Sequence, residues 1–532
     1  MTFKAFDREA KGWIFDAMGR GAAVMGFIFL SSGILAIANQ VADSTCEEIL
    51  PNTNNNSNFT IQIPCQFNPM NASDGCIHGQ TVCTPGNLPN TGIKASTVLT
   101  LMNTVNSFIS ACFMPILGAI VDHTKYRWQI AFYSMVFLVF GNAFQSVFLT
   151  KELFYPIIIL QVIGTWAFTC HVITSFAYLP ELTNDMIVRT DINKYSNVTL
   201  HLTQVVGIFL VLILGGVMSI GDDDIKMAKM AQGVTAVFTG AVFSYVWLGM
   251  MKKRPALHEM KENEGYLTKG FMQLKSTFAR LGSDYRPMKW FLIAIVFTEA
   301  AIQAFISIAI SFTSLQLKMS AGEIGLLMGI VLMFAVPGSF IFAKVTKKFG
   351  PIKSFMGMCV YWGLIELLAV FFVTDETQKT NAFFFGILWG LGFGWQFPVE
   401  RDTFVKMIPG GQETEMVSER VGGLPKVRND RPNPTSSFCS AQMGLLIFFG
   451  AALAWLPSLI FSVLVNYGFS MSMGFLVVPV FYTVAFVIVV VKVQPKYEQV
   501  CEISALTRET TSERNTNRSS VGVEVVEVVE TL

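Results

Sequence analysis

Long apolar runs alternate with short polar segments along the whole chain. As a helix, each run is about long enough to cross a hydrocarbon core of ~30 Å at ~1.5 Å per residue. The pattern therefore predicts an all-α membrane protein with twelve transmembrane helices, with runs at 21–41, 95–121, 129–149, 155–178, 198–219, 231–251, 289–312, 323–343, 354–373, 381–398, 443–464 and 470–491.

The composition excludes most other classes of protein. Of the 532 residues, 52% are hydrophobic and only 14% charged, whereas soluble domains carry about a quarter charged residues. No phosphate-cradling glycine loop of the ATPase type is present, and the five histidines form no metal-type cluster. We therefore expect no enzyme, cofactor, metal or nucleic-acid partner, and transport driven by a solute gradient or by protons.

Basic residues predict the orientation, because lysine and arginine concentrate in cytosolic loops. Twelve spans place both termini on one face, and most of the 38 basic residues fall there. The opposite face receives six of them: Lys94, Lys151, Lys226, Lys229, Lys318 and Lys379. Both termini are therefore predicted to be cytosolic.

The long loop 42–94 agrees with this orientation. It contains Cys46, Cys65, Cys76 and Cys83, which would form two disulfides in an oxidising compartment, with three connectivities open. It also contains glycosylation sequons at Asn55, Asn58 and Asn71. The alternative is that the cysteines are unpaired and the sequons occur by chance.

The chain divides into two six-span halves, 21–251 and 289–491, between a cytosolic N-terminus (1–20) and a disordered cytosolic tail (492–532). The charged linker 252–288 joins the halves, as in the major facilitator architecture.

The loop between spans 2 and 3 resembles the signature of that superfamily, through Gly118, Asp122, Lys125 and Arg127. There Gly118 would permit close helix approach, and Asp122 could pair with Arg127, Lys125 or a neighbouring helix end to latch the cytosolic side. The equivalent loop of the second half, between spans 8 and 9, has Ala343 or Lys344 at the position of the acidic residue.

Ionisable groups inside spans are costly, so they are candidates for substrate or proton binding. In span 7, Glu299 shares one helix face with Gln303 and Ser307. In span 4, His171 would suit a proton site, although a structural hydrogen bond is an equal alternative. The span 10 residues Trp395 and Gln396 could close a binding site or simply pack. At the end of that span, a cytosolic charge network that gates the cavity is expected from Glu400, Arg401 and Asp402.

Several motifs together resemble one family. They are REAKGW at 8–13, SFAYLPELTND at 175–185, LTQVVGIFLVLIL at 202–214, and the run from residue 390 to PGGQETEM before span 11. This set resembles the vacuole effluxer family of the major facilitator superfamily, whose autophagy-related members export amino acids from the vacuole. The resemblance implies a cavity lined by spans 1, 4, 7 and 10, an amino-acid substrate, and a vacuolar or lysosomal membrane, with the plasma membrane as the alternative. A carrier of another small solute, or a receptor without transport, stays open.

Residues 417–442 interrupt that resemblance. They bring three prolines and six charges between the acidic run and span 11. Codons for Val417-Ser418 and Gln442 can match the two ends of an intron, and 26 residues preserve the reading frame. A retained intron and a disordered cytosolic loop are both consistent with this composition. Sequencing the transcript across Met416–Met443 distinguishes them.

Overall fold

The computed structural model describes residues 6–43, 46–50, 59–63, 87–88, 91, 93–183, 186–255, 272, 286–407, 450, 452–495 and 497. Six helices form the first half: α1 Arg8–Asp43, α2 Val98–His123, α3 Arg127–Phe148, α4 Phe154–Leu182, α5 Met186–Val217 and α6 Asp224–Gly249. The second half contains α7 Arg286–Leu315, α8 Ala321–Phe349, α9 Pro351–Phe372, α10 Lys379–Met407, α11 Trp455–Asn466 and α12 Val477–Ile488. A turn of helix, Met471–Gly474, precedes α12, and a π-helical turn, Val489–Val493, follows it. Short 3₁₀ turns, Ala95–Thr97 and Glu376–Gln378, precede α2 and α10.

The prediction of a helical membrane protein is confirmed. Eleven helices in the described part of the chain are long and apolar enough to cross a membrane. The twelfth run is represented by the 12 residues of α11, because 443–449 lie outside the described residues. The sequence did not predict the antiparallel hairpin in the 42–94 loop, in which β1 Cys46–Leu50 pairs with β2 Phe59–Ile63.

The first helix begins earlier than its apolar run. Residues 8–20 were expected to be a polar terminus, but α1 begins at Arg8 and buries Trp13, Asp16 and Arg20. The two charged residues are one helical turn apart and form an ion pair, Arg20 Nε to Asp16 Oδ2 at 3.0 Å. Hydropathy alone underestimates the length of this helix, because it counts the two charges separately and ignores their pairing.

Glycines at intervals of seven set the contact between α1 and α6. A Cβ at Gly26 would lie 2.5 Å from Thr235 Oγ1, and one at Gly33 would lie 2.5 Å from Ala228 Cβ. Farther along, Gly19 meets Phe243 of α6 in the same way, and Gly12 meets Met250 directly after the end of α6. Small residues at such positions let the two helix backbones approach closely.

The second half uses glycines where α8 crosses α10. A Cβ at Gly338 would lie 2.7 Å from the Leu391 carbonyl oxygen, and one at Gly394 would overlap the Ala335 carbonyl oxygen. Because these contacts are with backbone atoms, a rotamer change cannot relieve them.

Replacing Gly394 by leucine should therefore destabilise the second half by about 1–3 kcal/mol. The expected result is a lower midpoint of thermal unfolding for the purified protein in detergent. Gly363→Leu is the matched control, since a Cβ there meets no atom within 4 Å. Equal midpoints for the two variants would contradict the packing.

Each half is a bundle, and the halves meet along several helix pairs, two of them extensive. In the first half, α1 packs on α5 and α6, and α3 packs on α4 and α6. In the second, α7 packs on α12, and α10 packs on α8 and α9. Between the halves, α2 packs on α11 and α5 packs on α8. We call the end where α1 ends and α2 begins the distal end, and the opposite end proximal.

Candidate functional site

Two glutamates form a carboxyl pair inside the second half. Glu400 on α10 is 1% exposed, and its Oε1 accepts from Thr298 Oγ1 at 2.7 Å and from Gln396 Nε2 at 3.1 Å. Glu299 on α7, next to Thr298 in sequence, lies close enough to Glu400 for the two carboxyl groups to interact. Two carboxylates held close together would repel each other. We call Glu299 and Glu400 the carboxyl pair.

One side of this pair is exposed. Most of α7 is buried, yet Gln303 is exposed and Glu299 one turn before it is partly exposed. The predicted third member, Ser307, is buried and donates to the Ala304 carbonyl oxygen at 2.9 Å. The polar face therefore consists of Glu299 and Gln303.

Positive charge lies beside the pair. Arg401, also partly buried, interacts electrostatically with both Glu299 and Glu400. Across the interface between the halves, His201 on α5 is close enough to interact with Arg401, and its Nδ1 lies 3.0 Å from Gln204 Oε1. Sequence reasoning did not select His201, because nothing in the α5 pattern indicates which helix it faces.

These positions differ from the expected gate. Glu400 and Arg401 were placed in a cytosolic rim network, because the apolar run ends near 398. The helix continues to Met407, so both residues lie within the bundle. Asp402 is partly buried on the same turn.

A tyrosine on α12 supports the pair from behind. Tyr482 donates its hydroxyl proton to Gln396 Oε1 at 2.7 Å, and both side chains are fully buried. Trp395 points elsewhere: its ring stacks on Phe342 at 3.8 Å, and its Nε1 donates to Ser354 Oγ at 2.9 Å. The packing alternative therefore holds for Trp395, whereas Gln396 belongs to the site.

A second polar cluster, the Asp16 cluster, lies inside the first half. Asp16 Oδ1 lies 3.0 Å from His171 Nε2 and accepts from Trp247 Nε1 at 2.8 Å. Its other oxygen pairs with Arg20 and accepts from Ser175 Oγ at 2.9 Å. His171 Nδ1 faces the Ala131 carbonyl oxygen at 3.0 Å, so both ring nitrogens have acceptors. His171 is fully buried, and its contacts here are the structural hydrogen bonds that were the alternative to a proton site.

The proximal ends of α1, α3 and α4 are joined by charge. Arg127 is fully buried and pairs with Glu181, while Arg254 after α6 pairs with Glu181 at 3.0 Å and with Glu9 at 2.7 Å. Burial disfavours the charged form of Arg254, but the two glutamates outweigh it and raise the pKa of Arg254.

The predicted latch differs from this arrangement in two respects. Lys125 is exposed, and a Cβ at Gly118 would meet no atom within 4 Å, so the close helix approach expected at Gly118 is absent here. The side chain of Asp122 lies outside the described residues, as do those of all four loop cysteines and the three sequon asparagines.

At the distal end, α2 and α11 are joined across the two halves. The Thr100 and Ser462 hydroxyls are 2.6 Å apart, and Asn103 Nδ2 donates to Ser458 Oγ at 2.8 Å. Lys94 Nζ donates to the Val465 carbonyl oxygen at 2.7 Å. On the other side of the bundle, Asp224 Oδ1 accepts from the Ala321 amide at 2.6 Å. These contacts hold the halves together at the distal end.

Similar structures are membrane transporters of low sequence identity. A mutant of the nucleoside transporter NupG aligns with TM-score 0.54 and 11% identity over 91% of this chain and 99% of that one. A bacterial homologue of the iron transporter ferroportin, inward-facing, gives 0.52 and 12% over 92% and 99%. The human organic anion transporter MFSD10 gives 0.53 and 11% over 90% and 98%. These likenesses show the major facilitator fold, which confirms the predicted architecture.

Sequence comparison identifies the family. No curated protein matches the chain. The family described as "Vacuole effluxer Atg22 like" matches residues 8–416, which is well over half of the chain. The match ends directly before the segment 417–442 that interrupts the motif pattern. The chain is thus a membrane transporter and belongs to the Atg22-like vacuole effluxer family.

Proposed function

We propose that this transporter exports amino acids from the lumen of a vacuole or lysosome to the cytosol, in exchange for or together with protons. Both termini would face the cytosol, so the distal end would face the lumen. The observation that carries the proposal is that Glu299 and Arg401 are close enough to interact, next to the exposed Gln303.

The chemistry of this pair fits a zwitterion. An α-amino acid carries an ammonium group and a carboxylate a few ångströms apart. A carboxylate on Glu299 would bind the ammonium group, and the guanidinium of Arg401 would bind the carboxylate with paired, charge-assisted hydrogen bonds. The charges of both partners are then compensated after they leave water, which a membrane interior requires.

A proton shared by the carboxyl pair would supply the coupling. Binding of an ammonium group at Glu299 favours its ionised form, so the proton would be carried on Glu400 while the substrate is bound. An acidic lumen would load substrate and proton together while the site faces the lumen. Both would be released on the cytosolic side after the distal contacts close.

Labelled uptake into proteoliposomes tests the proposal. Leucine, isoleucine and tyrosine should be transported, with uridine and an organic anion as comparison solutes. If a comparison solute were transported and no amino acid were, the proposed substrate class would be wrong.

The distal contacts predict a reversible block. Cysteines at Thr100 and Ser462 replace hydroxyls 2.6 Å apart, which suits a disulfide between the halves. Because export requires the distal end to open, oxidation of the Thr100→Cys, Ser462→Cys variant should stop transport, and reduction should restore it. The single-cysteine variants are the controls. Full transport by the cross-linked protein would contradict the assignment of this end as a gate.

A further inference from the structure

Four exposed lysines surround the turn between α8 and α9, at the proximal end of the molecule. We call them the lysine patch; its members, on the last turns of α8 and the first turn of α9, are Lys344, Lys347, Lys348 and Lys353. The turn is short, because Gly350 ends α8 with a φ of +84° and α9 follows directly. The Thr346 and Ser354 hydroxyls, 2.7 Å apart, join the two helices beside it. The four lysines therefore lie close together.

The lysine patch has no neighbouring counter-charge. No acidic residue occurs in the sequence between Glu323 and Glu366. Glu323 pairs with Lys379 at the distal start of α8, and Glu366 is fully buried. Within the described ranges, none of the four patch lysines takes part in an ion pair. The patch therefore presents four positive charges that no described residue compensates.

The corresponding turn of the first half, between α2 and α3, is different. Its Arg127 is fully buried and pairs with Glu181, and Asp122 stands three residues before the exposed Lys125 in the sequence. The bias of basic residues toward cytosolic loops would act on both turns alike. It therefore does not account for an exposed basic cluster without acids at the second turn alone.

An exposed apolar stripe of α8 ends at the patch. Leu326, Met333 and Ile341 are all exposed, and their spacings of seven and eight residues place them on one side of the helix. Lys348 continues that side, and its ammonium group lies 5.3 Å from the centre of the exposed Phe349 ring. In a membrane-spanning helix, the change from exposed apolar to exposed basic side chains marks the depth at which hydrocarbon meets lipid headgroups.

Lysines at this depth meet the phosphate groups of lipids. An ammonium group is a compact point charge that can bind phosphate oxygens from several directions. A zwitterionic headgroup carries its own cation, which offsets much of this attraction, whereas an anionic headgroup does not. We propose that the lysine patch binds the headgroup of an anionic phospholipid in the leaflet at the proximal end. The proposal does not depend on the substrate or the proton coupling of the proposed function.

Native mass spectrometry of the full chain in a neutral detergent tests this binding without a transport assay. The probes are dioleoyl phosphatidylserine and dioleoyl phosphatidylinositol 4-phosphate, with dioleoyl phosphatidylcholine as the zwitterionic lipid of equal chain length. Wild-type protein should bind both anionic lipids more tightly than phosphatidylcholine. Each lysine near an anionic surface contributes a factor of about five. The triple variant Lys344→Gln, Lys347→Gln, Lys348→Gln should therefore bind the anionic lipids at least about tenfold more weakly and phosphatidylcholine as before.

Two further triple variants separate the patch from net charge and from side-chain shape. The matched control, Lys226→Gln, Lys229→Gln, Lys318→Gln, removes three lysines at the distal end and should keep the wild-type affinity. Arginine at the three patch positions of α8 keeps the charge and should also keep it. Equal affinity of wild type and the patch glutamine variant for the anionic lipids would overturn the proposal.

A single charge reversal covers the case in which the patch glutamine variant does not fold. Lys347→Glu changes one exposed side chain and should lower the affinity for the anionic lipids by about fivefold or more. An unchanged affinity in this variant would equally overturn the proposal.

Soluble phosphates distinguish a lipid from a free anion as the occupant. Inorganic phosphate and glycerophosphoinositol 4-phosphate lack the acyl chains that would lie along the apolar stripe, so neither should displace the lipid at equal concentration. Displacement by either one would overturn the lipid assignment. Normal lipid binding by a protein that transports no amino acid would instead reject the proposed function and leave the lysine patch as a lipid site.

Discussion

Replacing Glu299 by glutamine is expected to reduce amino-acid transport by about 30-fold or more. The variant keeps the size of the side chain and its hydrogen-bonding reach but can neither pair with a substrate ammonium group nor share the proton. Loss of one partner of a desolvated charge pair costs at least ~2 kcal/mol, and ~1.4 kcal/mol corresponds to a factor of ten. The measurement is the initial rate of labelled leucine uptake into proteoliposomes containing equal amounts of folded protein.

Glu323→Gln is the matched control for this loss. Glu323 makes an ion pair with Lys379 at 2.9 Å at the distal start of α8, and glutamine can keep its contact with the Ser320 amide. The control should retain most of the wild-type rate, because a half-exposed pair contributes little. Equal rates for wild type and Glu299→Gln would remove Glu299 from the mechanism.

Replacing Asp16 by alanine is expected to destabilise the protein by about 3–5 kcal/mol. The substitution leaves Arg20, 3% exposed, without its counter-charge, and removes the acceptor shared by His171, Ser175 and Trp247. The midpoint of thermal unfolding in detergent should fall accordingly.

The double variant Asp16→Leu, Arg20→Met separates lost charge pairing from lost volume. It removes both buried charges and keeps apolar bulk, so it should be more stable than Asp16→Ala. An Asp16→Ala protein that unfolds at the wild-type temperature would show that the cluster contributes nothing to the fold.

The spans were predictable because the length of an apolar run is a direct physical requirement for crossing a bilayer. The same criterion failed where charges are compensated inside the bundle. It excluded Asp16 and Arg20 from the first helix and placed Glu400 at a rim, since a single residue's hydropathy does not record its partner. The seven-residue spacing of Gly12, Gly19, Gly26 and Gly33 would have indicated a close helix contact, although we made no prediction from it.

The candidate site could be predicted only in part. Glu299 and Gln303 were selected because a carboxylate and an amide on one face of a membrane helix are expensive to keep there. Tyr482 gave no such signal, because a tyrosine in an apolar run is ordinary. Its role depends on the distance to Gln396 across two helices, which the sequence does not contain. The partner of His171 was equally unpredictable, since Asp16 is 155 residues away.

The segment 417–442 stays a prediction, since it lies outside the described residues. The family match ends at Met416. Removal of the segment should therefore leave transport intact under either interpretation of its origin.

Labelled leucine flux across a membrane with an imposed pH gradient tests the central claim most directly. Wild-type protein in proteoliposomes should move leucine, and the gradient should change the rate, whereas the Glu299→Gln protein should show neither flux nor response. Wild-type protein that transports leucine at a rate independent of the gradient would contradict proton coupling through the carboxyl pair. Wild-type protein that transports no amino acid under either condition would contradict the account as a whole.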